Sequence, residues 1–449
     1  MPSSDSPSAT PPSPDAPQAQ EADLLRNLLL SPGYLKALVF CALIGVPVSL
    51  VAFWFLVALH ELEHTLWATL PESLGWQTPP WWWPLPLLLA SGLAVGLIVT
   101  RLPGTGGHVP AAGLQAGGGA STAALPGVVL AALASLPLGA VLGPEAPLIA
   151  LGGGLAVLFR SLTRAPATPQ GTALLVAAGA AAAVSAIFGN PLIGAVLLIE
   201  VAGVGGPQLF AVMLPALLSS GVGALIFTGF GRWTGLKTGE LSLHLTAPSP
   251  RLELADVLWS LALAAAVGVL VRLMLDGGRL TAGFVHHHTL ARTALCALGA
   301  GACAALYAAL SGRSPVEVAS SGQATLGELA SDPQAWGVGA LIAVLVFKSL
   351  AYTLCLGSLR GGLVFPALFL GAAAGVLLAP LPGLGLVPGM AAGMAASTAA
   401  ALRLPVSSVV LVVLLLGSGA MIPVVILAAV TAFVVSELLP SRSAAHGTP

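Results

Sequence analysis

The sequence predicts an all-α integral membrane protein made of two halves of similar design, and three observations carry that expectation. The chain is 57% hydrophobic and only 7% charged, with a mean hydropathy of +0.96; a soluble domain carries about 25% charged residues. A chain this apolar has too little polar surface to face water all round. Its apolar text falls into fourteen segments, several of them only 12–16 residues long, whereas a helix needs about 20 residues to cross a bilayer. Finally, phrases from the first half return in the second in the same order.

Residues 1–30 are polar and rich in Pro, Ser and Ala, which reads as a disordered tail without the apolar core of a signal peptide. The first apolar half, 31–228, holds segments at 34–59, 84–100, 122–142, 147–159, 172–188, 191–202 and 207–228. A polar connector follows at 229–253. The second half, 254–440, has segments at 254–275, 290–310, 336–356, 363–379, 387–402, 405–417 and 421–439. A short polar tail, 441–449, closes the chain, and no soluble regulatory domain is expected at either end. The halves echo each other: the run 181–191 leads through Pro191 into Leu-Ile-Gly-Ala-Val, and 397–405 leads through Pro405 into Val-Ser-Ser-Val-Val. Likewise Pro147-Leu-Ile-Ala-Leu-Gly152 is answered by Pro366-Ala-Leu-Phe-Leu-Gly371. Short, Gly/Pro-interrupted helices at matching places in two halves point to a binding site at the membrane midplane.

Three such interruptions stand out, and each is expected to open a helix. They are Gly104-Thr-Gly-Gly-His-Val-Pro110, Gly143-Pro-Glu-Ala-Pro147 and Gly361-Gly-Leu-Val-Phe-Pro366. Glycine lets backbone amides turn towards a ligand, and proline suits a first helical turn, where its missing N–H has no partner to lose. A helix start presents unpaired N–H groups and positive dipole potential, a place for an anion. Glu145 lies inside the second break, between apolar segments. A carboxylate at membrane depth is costly and marks function, and here it can compete with an anion for the helix start. That is the chemistry of a gate. The bland alternative, three surface turns, explains neither the glutamate nor the short helices.

At these residues the sequence resembles the CLC family of chloride channels and proton-coupled chloride antiporters. Gly106-Gly-His-Val-Pro110, Gly143-Pro-Glu-Ala-Pro147 and Gly361-Gly-Leu-Val-Phe-Pro366 are similar to the family's G-S-G-I-P, G-[RK]-E-G-P and G-G-x-F-x-P segments, in the same order. The stretch 190–200 resembles N-x-P-L-x-G-x-x-F-x-x-E, and 348–358 resembles the lead-in to the third segment. Together the resemblance covers about 34–439. It implies two inverted repeats of tilted, often incomplete transmembrane helices. It also implies a homodimer with one anion pathway per subunit, in a plasma membrane. Glu145 takes the place of the gating glutamate. Gly107, His108, Val109, Ala146, Leu363 and Val364 fall where the anion is held, chloride being the substrate and no cofactor being implied. The family's coordinating serine falls at Gly107, which leaves backbone, Thr105 or His108 to serve. His108 reads either as a donor beside the anion or as a neutral histidine bonded to a carbonyl. No counterpart of the family's last tyrosine follows Pro440. The inner proton glutamate of the antiporters falls at Val201, so Glu200 is either a structural helix-end acid or a shifted proton relay. Passive conduction is favoured over exchange on that ground.

Two rivals remain, one within transport and one from another class. A proton-coupled carrier for a different solute would use Glu145 as its coupling acid. A membrane zinc protease would use His60-Glu-Leu-Glu-His64, which matches H-E-x-x-H, completed by Leu275-Asp-Gly277. Both protease matches lie at segment ends, where an interfacial turn near Trp67 explains the first without metal. His286, His287 and His288 read as a solvated loop. Cys41, Cys296, Cys303 and Cys355 lie in apolar segments with no C-x-x-C spacing and read as core filling. With a formal net charge of −1 and scattered Lys and Arg, no nucleic-acid partner is expected.

Overall fold

The computed structural model describes residues 26–27, 29–114, 121–163, 168–203, 207–239, 243 and 252–440; both expected tails lie almost wholly outside these, as do 240–242 and 244–251 of the connector. Among the described residues there are helices and one isolated β-bridge, and no strand. In chain order the helices are α1 (Pro32–Ser73), α2 (Pro84–Arg101), α3 (Leu125–Ser135), α4 (Glu145–Leu162) and α5 (Pro169–Phe188). The first half ends with α6 (Pro191–Ala202) and α7 (Pro207–Thr234). The second half holds α8 (Leu254–His286), α9 (Thr289–Ser311), α10 (Gln323–Ser331), α11 (Val338–Ser358), α12 (Val364–Leu378), α13 (Leu386–Leu402), α14 (Pro405–Leu416) and α15 (Ile422–Leu438). Nine of the described helices are long and apolar enough to cross a membrane, and α3, α6, α12, α13 and α14 are shorter. This is a multi-pass membrane architecture.

Local chemistry sets the boundaries. Proline occupies the first turn of α1, α2, α3, α6, α14 and α15, where the absent N–H costs nothing. The Asn190 side chain accepts from Leu192 N and caps α6. Gly189, Gly203, Gly312 and Gly417 end α5, α6, α9 and α14 in the left-handed conformation. In α13 that task falls to Arg403, at φ 58°, whose guanidinium is held by both oxygens of Glu437.

Packing repeats from one half to the other. Helix α1 packs on α5 and α7, as α8 packs on α13 and α15; α4 lies on α5 as α12 lies on α13; α6 bridges α5 and α7 as α14 bridges α13 and α15. Two elements touch their own counterparts, α2 against α9 and α6 against α14, which places them beside the pseudo-twofold axis. The α4–α5 and α12–α13 seams are glycine on glycine. A Cβ on Gly152 or Gly179, or on Gly371, Gly375 or Gly393, would overlap a facing carbonyl. With lipid as apolar as any side chain, such close backbone approach is what packing has to work with in a membrane.

Several expectations shift. Helix α7 continues to Thr234, six residues into the expected connector. The apolar run 122–142 is helical only over Leu125–Ser135, because Pro137 cannot continue the ladder. Trp67 faces the protein interior: it is buried in a π-helical turn, Thr65–Thr69, its indole N–H donating to Pro137 O at 2.9 Å. The cysteines are free thiols in or against the core, and His286, His287 and His288 are exposed.

Candidate functional site

The second and third breaks meet. Gly143 N donates to Gly362 O at 2.8 Å and Gly362 N to Gly143 O at 2.5 Å, an antiparallel bridge between equivalent points of the two halves. A Cβ on Gly143 or Gly362 would strike the Glu145 carboxylate, so glycine is required here by close approach rather than by backbone angle. Glu145 opens α4, yet its Oε1 accepts from Val364 N, in the first turn of α12, at 2.5 Å. The carboxylate therefore sits on an amide at one helix start while belonging to another. Both macrodipoles favour negative charge there. Its Oε2 is buried without a hydrogen-bond partner, and with the residue only 2% exposed the position is sealed. Around it, Phe365 stacks on Phe188 with centroids 5.5 Å apart. The Tyr352 hydroxyl donates to Leu363 O at 2.8 Å.

Two cavities approach this point. One, of about 340 Å³, is lined by Gly107, His108 and Thr105 from the first break and by Ala146, Ile149 and Ala150 of α4. The other, of about 490 Å³, reaches Leu142 and Pro144 on one wall and Glu63, Ser320 and Glu328 on others. Because α1 and α2 each cross once, the loop after α2 and the end of α1 lie on opposite faces. The two cavities thus open towards opposite sides, and Glu145 lies between the residues that line them.

The first break differs from expectation. It contains the 3₁₀ turns Pro103–Gly106 and Pro110–Ala112 and opens no α-helix among the described residues. Positive φ at Gly104, Thr105, Gly106, Gly107 and Gly113 prevents one. Gly107 and His108 nevertheless share a cavity with Ala146, as Glu145 shares a hydrogen bond with Val364. Val109 packs against the core instead. His108 Nε2 is buried and has no partner, so the imidazole is not carbonyl-bonded through that nitrogen. Burial first, and the Arg360 charge second, lower its pKa from the ordinary histidine value. Arg360, which sequence reasoning passed over, is 7% exposed and donates to Thr105 O and Leu359 O. Tyr352 was passed over too; neither has a local sequence signature.

Glu200 is committed elsewhere. Its carboxylate accepts from Val406 N at 3.0 Å and from Ser407 N and Oγ, both at 2.6 Å. It thereby caps the start of α14, in the other half. In the protease alternative, the rings of His60 and His64 lie 6.5 Å apart. Asp276 is held by Arg272 at 3.2 Å and Arg279 at 2.6 Å.

Comparison with known proteins agrees with this architecture. The family model described as "Voltage gated chloride channel" matches residues 91–437. Curated relatives include the "Putative ion-transport protein YfeO" of Salmonella newport strain SL254, 27% identical over 75% of this chain and 78% of that protein. The protein of the same name from Escherichia coli O7:K1 is 26% identical over 75% and 77%. Among solved structures, a slow cyanobacterial Cl−/H+ antiporter superposes with a TM-score of 0.74 at 20% identity, covering 92% of this chain and 96% of that one. A CLC-type fluoride/proton antiporter gives 0.66, also at 20%, covering 91% and 97%. At such identity these structures speak for the fold. With paired glycine breaks, an acid between two cavities, and a family match across most of its length, this chain belongs to the voltage gated chloride channel family.

Proposed function

We propose that the chain carries small inorganic anions, chloride foremost, through a pathway that Glu145 closes. The observation that supports this most is the Glu145 carboxylate seated on the Val364 amide between cavities that open to opposite faces. A carboxylate held there stands in for the transported anion. An anion arriving at the same amides would exchange hydration water for fixed dipoles. Protonation removes the charge that holds Glu145 in place, and the side chain yields to the anion. Arg360, with no ion pair among the described residues, adds positive potential on the Gly107 side, where His108 stands as an uncharged imidazole.

Lys and Arg distribution supplies an orientation. Lys36, Arg101, Arg160 and Arg292 lie on the face of the Gly107 cavity, outnumbering Arg232, Lys237 and Arg313 on the face of the Pro144 cavity. The first face is thereby cytoplasmic. Passive conduction is favoured over exchange because Val201 is apolar and Glu200 is spent on the α14 cap. The related solved structures named as proton antiporters weigh on the other side. A homodimer in the plasma membrane completes the proposal, as the family resemblance implies.

In liposomes, Glu145→Gln should leave anion flux open at any external pH, since the amide mimics the protonated acid. Unchanged flux and unchanged pH dependence in that variant would end the gate. A reversal potential that stays at the chloride value across a pH gradient supports conduction; a shift towards the proton value establishes exchange.

A further inference from the structure

The cavity on the Pro144 face holds a second acid that the gate leaves unused. Glu63 lies in the His60-Glu-Leu-Glu-His64 run, which ends just before the π-helical turn Thr65–Thr69, and π-turns recur at functional sites. It lines the cavity with Ser320, and Pro144 lines the same space. Ser320 holds φ 61°, strained for a residue with a side chain. Beneath lies Lys348, fully buried, whose ammonium donates to the carbonyls of Glu317, Val318, Ala319 and Ser320 at 3.1–3.4 Å.

A buried cation needs an anion. The carboxylate of Glu317 is taken by Arg313, at 2.8 Å, and by Tyr307. Glu63 makes no ion pair within 4.0 Å among the described residues. Other titratable groups around the cavity are His60 and His64 on the same helix and Glu328 on α10. The arrangement places a carboxyl group in the cavity that Pro144 also lines, on one side of the gate.

Building on the gate proposed above, we propose that Glu63 collects protons from the outer solution and delivers them to Glu145. Glu63 takes a proton from bulk water at the cavity mouth. The proton then leaves its carboxyl group, crosses the cavity water past Pro144, and binds Glu145 Oε2, the oxygen without a protein partner. Glu63 returns to the carboxylate, and neutral Glu145 loosens from the Val364 amide. No other reactant is needed. Ionisable residues within membranes serve such relays.

The test uses the full chain in liposomes and follows the rate of channel opening after a jump to acid external pH. Glu63→Gln should slow opening by about tenfold or more, the low end of what a positioned proton donor contributes. The flux finally reached at low pH should be unchanged, and Glu63→Asp should restore the rate. Glu145→Gln and the double variant should both be open before the jump. A Glu63→Gln protein that opens as fast as the parent, while Glu145→Gln is already open, overturns the relay and leaves the gate standing. A Glu145→Gln protein that still responds to the jump overturns the gate, and the relay with it.

Discussion

The breaks before α4 and α12 are equivalent in backbone and opposite in chemistry. Each turns on a glycine, each starts a helix, and Gly143 and Gly362 bond to one another symmetrically. Only the first carries an acid, and only the second supplies the amide that holds it. The same inequality recurs between α6 and α14. Asn190 caps α6 from its own chain neighbour, while α14 is capped by Glu200 at the far end of α6. Duplication supplied a scaffold that brings two helix starts together; the substitutions that broke the duplication supplied the chemistry. A symmetric site could hold an anion but could not shut on it.

The strongest way to break this comparison is Gly362→Ala. The added methyl would occupy space filled by the Glu145 carboxylate, so the acid must leave its amide and anion flux should lose its pH dependence as fully as in Glu145→Gln. Flux assays on protein of normal gel-filtration profile check this. Retention of the parent pH profile would mean the close approach at Gly362 does not hold the gate. Next comes Glu200→Ala, which strips three hydrogen bonds from the start of α14. A lost cap costs about 1–2 kcal/mol, so thermal stability in detergent should fall while gating pH stays where it was. A changed proton dependence instead would return Glu200 to the relay. The smallest effect belongs to Tyr352→Phe. Leu363 O loses one hydrogen bond, worth about 1 kcal/mol, and the open fraction should shift slightly without altering which anions pass.

Much of this was legible in the chain because it is local. Gly/Pro breaks, apolar runs and an isolated acid announce themselves within a few residues, and Glu145, Val364, Gly107 and Ala146 fall together as their motifs suggest. What escaped is what depends on residues far apart in sequence. The bridge between Gly143 and Gly362, and the cap that Glu200 places on α14, have no signature until the halves are superposed. Arg360 and Tyr352 look like ordinary residues in apolar text. Trp67 has the composition of a membrane-interface residue but is drawn inwards by the Pro137 carbonyl. The first break misled by its proline: Pro110 suggested a helix, and the surrounding left-handed glycines permit only 3₁₀ turns.

The hydrogen bond between Glu145 and Val364 joins residues 219 positions apart, and this has a consequence for biosynthesis. As the nascent polypeptide enters the bilayer, the acid arrives long before the amide that donates to it has been translated. Until then an ionised side chain would sit in hydrocarbon unaccompanied, at a cost of several kcal/mol. The immature first half should therefore hold this residue as a neutral acid, or keep α4 outside the lipid, and acquire its charge only when the closing segments of the polypeptide dock.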